Sequence, residues 1–166
     1  MPERLYGIRH HGPGSARAVV QEAMRLYPPA FMTARLAAEA HEVCGVEVPV
    51  GAVVLIPLWL LHRNPRWWAS PDLFDPGRFL RGPEPDRFAY LPFGAGPHAC
   101  IGAQLAVTEA TLVLARLLRR SSIAVLGDRP VVPVGVISTR PDHAPRFEVR
   151  PRAGWRAKPA RPAELS

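Results

Sequence analysis

The chain has 166 residues, 48% of them hydrophobic, and a formal net charge of +7 from 21 Lys and Arg against 14 Asp and Glu. That length suits about one domain with a sizeable core, while two cysteines, Cys44 and Cys100, exclude a four-thiolate iron–sulfur cluster and a disulfide framework. No secretory signal and no apolar run of the roughly 20 residues that a membrane span needs is visible, so a cytosolic, reducing (cytoplasmic) setting with no membrane partner is expected.

Residues 1–15 form an atypical N-terminal segment. His10 and His11 are adjacent and point apart on either regular element, which favours a solvated loop over a metal site. Between Val19 and Pro29, Glu22 and Arg25 stand three apart, a spacing that puts them on one face of a helix. Alone this pair says little, because most such pairs are exposed and contribute almost nothing to stability.

Arg35 follows ten residues after Arg25. Cys44 is expected to be a buried free thiol; a zinc site with His41 lacks the second ligand pair that closed structural sites need. Glu47 to Ile56 reads as two short strands turning at Pro49 to Gly51, and Leu58 to Pro65 as a short helix ended by proline. The apolar run from Pro49 to Leu61, interrupted by Gly51 and Pro57, is read as core.

The stretch FGAGPHACIG, Phe93 to Gly102, sets one cysteine among three glycines at the mouth of a strong helical pattern. That helix is predicted from near Ile101 to Arg120, with Ala106, Ala110, Val113 and Leu117 on one stripe. A cysteine at a helix N-terminus is more easily held as a metal-ligating thiolate than one in mid-helix. Pro97 favours an irregular loop, and glycines at 94, 96 and 102 allow backbone angles and close approach that side chains forbid. An isolated cysteine would otherwise read as a small buried hydrophobe; the ten-residue spacing favours the ligand. Beyond the helix, Ile123–Leu126 and Val131–Ile137 read as short strands around a turn at Gly127 and Asp128.

Phe93, Gly94, Gly96, His98, Cys100 and Gly102 resemble the haem-binding loop, FGxGxxxCxG, of the cytochrome P-450 superfamily. Three further segments match in order: the ExxR helix at Glu22 and Arg25, the strand pair with short helix, and the PxRF segment at Phe74 to Phe79. The resemblance implies a mainly α fold with small β-sheets, the C-terminal fragment of the cytochrome P-450 fold over residues 16–149. It implies haem (iron protoporphyrin IX) as cofactor, with Cys100 as the axial metal ligand, Phe93 shielding the sulfur and His98 reaching a propionate. Gly94 and Gly102 belong to the same cofactor-binding set. For Arg35 two readings stand, a propionate partner and a solvated surface arginine. Arg78 is expected to join Glu22 and Arg25 in a structural cluster, since forked guanidiniums satisfy both carboxylate oxygens. None of these residues is assigned a catalytic role.

The family's enzymes are more than twice as long, and Thr33, Thr108, Thr111 and Thr139 all lie outside an AGxxT context. The expected function is therefore a haem-thiolate monooxygenase, an oxidoreductase, truncated before its distal oxygen-activating helix. If completed, it would take a small apolar substrate and electrons from a ferredoxin-type donor. Residues around Pro29 to Thr33 and Val134 to Ser138 would face that substrate by analogy, although apolar strands are more often core. The alternative is a non-catalytic remnant that binds haem or a protein partner.

Residues 150–166 hold most of the positive excess in a stretch rich in Pro, Ala and Arg, read as a basic disordered tail. Such a tail binds polyanions without specificity, and no helix-turn-helix or zinc-finger spacing points to a specific nucleic acid.

Overall fold

The computed structural model describes residues 13–82, 85–135 and 138–152. The readings made for His10, His11, Val136, Ile137 and the tail beyond Arg152 lie outside these residues.

Helix α1 (Pro13–Leu26) opens before Val19 and buries Ala18, Glu22, Arg25 and Leu26, one stripe at i, i+4, i+7 and i+8. Its last turn closes with the Tyr27 amide donating to the Ala23 carbonyl at 2.7 Å, after which Pro28 and Pro29 have no N–H with which to continue.

Four antiparallel strand pairs follow, in two sets, each with a hairpin inserted between the strands of an outer pair. Strand β1 (Thr33–Leu36) pairs with β4 (Val53–Ile56), setting Arg35 opposite Val54, and the hairpin of β2 (His41–Val43) and β3 (Val46–Val48) is inserted between them. The turn predicted at Pro49 to Gly51 is present, with Ala52 N–H donating to Pro49 O at 3.1 Å. Its flanking strands, however, pair with earlier strands and not with each other, because β1 and β2 offered no alternating apolar signal to the sequence reading.

The β2–β3 turn holds Cys44 at φ 50 and Gly45 at φ 80, both left-handed, as a two-residue hairpin requires. Cys44 is thus exposed at a loop tip and is not the buried thiol that its residue type suggested.

The predicted short helix is a single turn, α2 (Leu58–Leu61), and a second turn, α3 (Arg78–Arg81), carries the PxRF arginine. Their core contains Leu58, Trp68 and Ala89, with the rings of Trp68, Phe79 and Tyr90 meeting pairwise at 5.2–6.1 Å.

Helix α4 (Ala103–Arg120) packs on α1 through Ala103, Val107, Thr111, Leu114 and Leu118. The stripe of Ala106, Ala110, Val113 and Leu117 is the exposed one. Since α4 is apolar on more than one side, periodicity could not select which side meets α1.

Strand β5 (Ser121–Leu126) pairs with β8 (Arg146–Pro151), and β6 (Pro133–Gly135) with β7 (Thr139–Pro141). Arg150 and Pro151, assigned to the tail by composition, therefore pair with Ser122 and Ser121. The β6–β7 hairpin is tied to the segment after α1, where Thr139 donates from its amide to Pro29 O at 2.8 Å and from its hydroxyl to Pro28 O at 2.6 Å. Among the described residues, no helix is long and apolar enough to cross a membrane.

Candidate functional site

The loop between Leu91 and α4 is built from its own backbone. Gly94 N–H donates to Leu91 O at 3.1 Å, and both Gly94 and Gly96 sit at φ 74. A Cβ in that left-handed region costs roughly 1–2 kcal/mol, which glycine avoids. Gly96–His98 then makes one turn of 3-10 helix, with Pro97 supplying the φ it needs and Ala99 N–H donating to Gly96 O at 3.0 Å. Ala99 is extended, and the Cys100 amide returns to the Phe93 carbonyl at 2.9 Å, closing the loop.

Cys100 is a free, exposed thiol at the point where this loop meets α4. Its carbonyl accepts the Ala103 N–H at 3.3 Å, and a Cβ built on Gly102 would lie 3.8 Å from Sγ. The helix begins two residues later than predicted, with Gly102 as its N-cap. Phe93 is half-buried and borders a cavity of about 140 Å³ with Arg17, Met24, Tyr90 and Val107. His98 is exposed on the 3-10 turn, two residues before the cysteine.

Strand β1 delivers Arg35 to the same loop. Its Nη2 donates to Ala95 O at 3.3 Å, and its Nη1 to Ala34 O at 2.8 Å and Thr33 Oγ1 at 3.2 Å. These are backbone and hydroxyl acceptors; among the described residues the half-buried guanidinium pairs with no carboxylate. The six residues singled out by the sequence, Arg35, Phe93, Gly94, His98, Cys100 and Gly102, are thus carried by one loop and one adjoining strand.

Beneath the loop lies the expected ion cluster. Glu22 and Arg25 are fully buried, joined by Arg25 Nε to Oε2 at 2.7 Å and Nη2 to Oε1 at 2.9 Å. Oε1 also accepts Arg78 Nε at 3.1 Å and the Asp75 amide at 2.8 Å. Arg25 spends its remaining donors on the carbonyls of His62, Pro71 and Leu73. With every fork satisfied, this is architecture, as the sequence reading had it.

His62 was missed by that reading. It is fully buried, and burial, followed by the positive charges of Arg25 and Arg63, lowers its pKa to about 4. Burial likewise pushes the Tyr90 phenol up, with the Glu22 carboxylate adding to it. The only sequence signal for His62 was a polar residue ending an apolar run.

A cytochrome P-450 family model matches residues 16–137 of the chain. The chain belongs to the cytochrome P-450 family. Among similar proteins, cyclooctat-9-en-7-ol 5-monooxygenase of Streptomyces melanosporofaciens is 45% identical over 106 residues, covering 63% of this chain and 23% of that protein. Thromboxane-A synthase of Sus scrofa is 43% identical over 104 residues, 61% of this chain and 20% of that one. Among solved structures, the retinoic-acid-bound cyanobacterial CYP120A1 superposes with a TM-score of 0.77 at 28% identity, over 83% of this chain and 32% of that chain. The haem domain of cytochrome P450DA gives a TM-score of 0.75 at 30% identity, over 82% and 31%. This P-450 chain therefore spans between 20% and 32% of the lengths of the proteins it matches. The cofactor that goes with the family and with these folds is haem.

Proposed function

We propose that this stretch supplies the proximal side of a haem-thiolate monooxygenase, with Cys100 as the axial ligand of the iron. The supporting observation is the exposed Cys100 sulfur at the closed end of the Phe93–Cys100 loop, beside an Arg35 guanidinium without a carboxylate partner among the described residues. That donor set fits haem, which needs a soft anionic ligand for its iron and cations for its propionates.

Cys100 meets the first need and Arg35 the second, with His98 placed to reach a propionate as a hydrogen-bond donor. Gly94 and Gly102 hold no side chain against a planar partner, and Ile101 and Leu105, 104% and 71% exposed, offer it apolar contact. By the family resemblance, the half-buried Phe93 would shield the sulfur once haem is bound. When bound, haem supplies oxygen activation, which a thiolate ligand promotes by pushing electron density onto iron. A ferredoxin-type donor would bring electrons. A small apolar substrate would lie near Phe31 and Gly135, whose Cβ position is 3.0 Å from the Phe31 ring. A reducing, cytosolic setting would keep Cys100 reduced and so able to ligate as a thiolate.

The test is spectroscopic. Haem is titrated into the protein, which is then reduced under carbon monoxide. A strongly red-shifted Soret band that Cys100→Ser abolishes is expected; an unshifted band in the unaltered protein overturns the reading.

A second reading, a non-catalytic haem or protein binder, has its own observation in the exposed Leu105, Leu112 and Val113 of α4 and the exposed Leu36, Val53 and Leu55 of the β1–β4 pair. Under it an apolar substrate supplied with ferredoxin and reductase stays unoxidised even when the chain is joined to a distal segment that completes the haem pocket, whereas the first reading expects oxidation by that completed protein.

A further inference from the structure

His62 touches both the ion cluster and the cysteine loop. Its backbone carbonyl accepts Arg25 Nη1 at 2.8 Å, and its ring Nε2 accepts the Leu91 amide at 2.9 Å. The ring has no exposed surface and meets the Tyr90 ring, tilted by 38°, at 5.5 Å between centroids. Accepting at Nε2 requires that nitrogen to be bare, so the proton of the neutral ring belongs on Nδ1. Nδ1 is buried and has no hydrogen-bond partner among the described residues.

Leu91 is where the chain enters the loop. Its carbonyl accepts the Gly94 N–H that makes the first turn, and the intervening Phe93 carbonyl receives the Cys100 amide. An unbroken series of hydrogen bonds and short chain segments therefore runs from Arg25 through His62, Leu91 and the Gly94 turn to Cys100.

We propose that His62 is a positioning residue for Cys100: its neutral, Nδ1-protonated ring pins the Leu91 amide to the Glu22–Arg25 cluster and so sets where the loop presents its sulfur. The consequence for haem rests on the ligand role given to Cys100 above; the pinning itself does not. His62→Gln keeps an acceptor near the position of Nε2, whereas His62→Phe keeps ring volume and leaves the partly buried Leu91 amide without this partner.

The experiment compares the full chain carrying His62, His62→Gln and His62→Phe by two readouts. Amide hydrogen exchange at Leu91, which needs no haem, is expected to run roughly three- to tenfold faster in His62→Phe, as one lost hydrogen bond implies, and to return towards the original rate in His62→Gln. After haem titration and reduction under carbon monoxide, the red-shifted share of the Soret band is expected to fall in His62→Phe and recover in His62→Gln. Equal exchange and equal band shares in all three proteins overturn the proposal. Should His62→Phe fail to fold, nitrogen NMR of the unaltered protein decides: a proton on Nδ1 with bare Nε2 supports the pinning, and a proton on Nε2 overturns it. If the unaltered protein gives no red-shifted band at all, the haem reading fails, while exchange and tautomer still judge His62.

Discussion

The Cys100 amide donates to the Phe93 carbonyl at 2.9 Å, bringing together two residues seven apart in sequence and closing the loop that presents the thiol. The closure depends on two left-handed glycines between them. Gly94→Ala or Gly96→Ala meets no neighbouring atom within 4 Å, so the cost is backbone strain alone, roughly 1–2 kcal/mol. Haem titration is expected to show about five- to thirtyfold weaker binding for either variant, with the protein still folded. Unchanged binding would mean that the loop geometry does not govern the site.

Arg35 has a more local role. Removing its charge leaves no carboxylate unpaired among the described residues, so Arg35→Ala is expected to shift the urea midpoint little. Haem loss to an apo-acceptor protein is expected to accelerate about tenfold, the value of one charge-assisted hydrogen bond. Arg35→Lys should recover part of that retention.

Breaking the ion cluster acts on the fold itself. In Glu22→Gln the forked guanidinium of Arg25, with 0% side-chain exposure, loses its counter-charge, and about 3–5 kcal/mol of stability is expected to go with it. Since a domain of this kind holds about 5–15 kcal/mol in total, urea titration should reveal a largely unfolded population at modest denaturant.

Acid sensitivity follows from His62. Its folded pKa, about 4, lies below the ordinary 6.5, so the unfolded chain takes up the proton first as pH falls. Stability is therefore full above pH 6.5, declines between 6.5 and 4, and levels below, with a total loss of about 3 kcal/mol at most. His62→Gln should flatten that portion of a stability-versus-pH curve measured by urea unfolding. Asp142 acts in a lower window: the Val132 amide first, then His143 and Arg129, hold its pKa to about 2, so its contribution is present above the ordinary 3.8 and lost as pH falls towards 2.

The orientation of α4 is open to a simple comparison. Val107→Ala, on the side facing α1, is expected to cost about 1–2 kcal/mol, two buried methyl groups' worth. Val113→Ala, at a position 58% exposed, should stay within roughly 0.5 kcal/mol. Thermal or urea midpoints check both, and the reverse ranking would put the stripe containing Val113 and Leu117 against α1.

Much of the site was legible along the chain because its parts are local. Phe93, Gly94, His98, Cys100 and Gly102 lie within ten residues, and their spacing carries the loop's turns directly. Glu22 and Arg25 share a helix face by periodicity, and Arg78 was placed with them by resemblance. The pairings were not legible: β1 finds β4 across an inserted hairpin, β5 finds β8 across twenty residues, and the reading that gave Arg150 to the tail could not see its partner Ser122.

The order of residues alone determined which chemistry the loop holds, since glycine angles, a helix start and a cysteine are properties of adjacent positions. Tertiary structure decided which apolar side of α4 was covered, that Cys44 stands at an exposed turn, that Arg35 reaches Ala95, and that His62 bridges Arg25 to Leu91. Each of these depends on surfaces far apart in the chain competing for burial and for hydrogen-bond partners, a contest that local pattern does not encode.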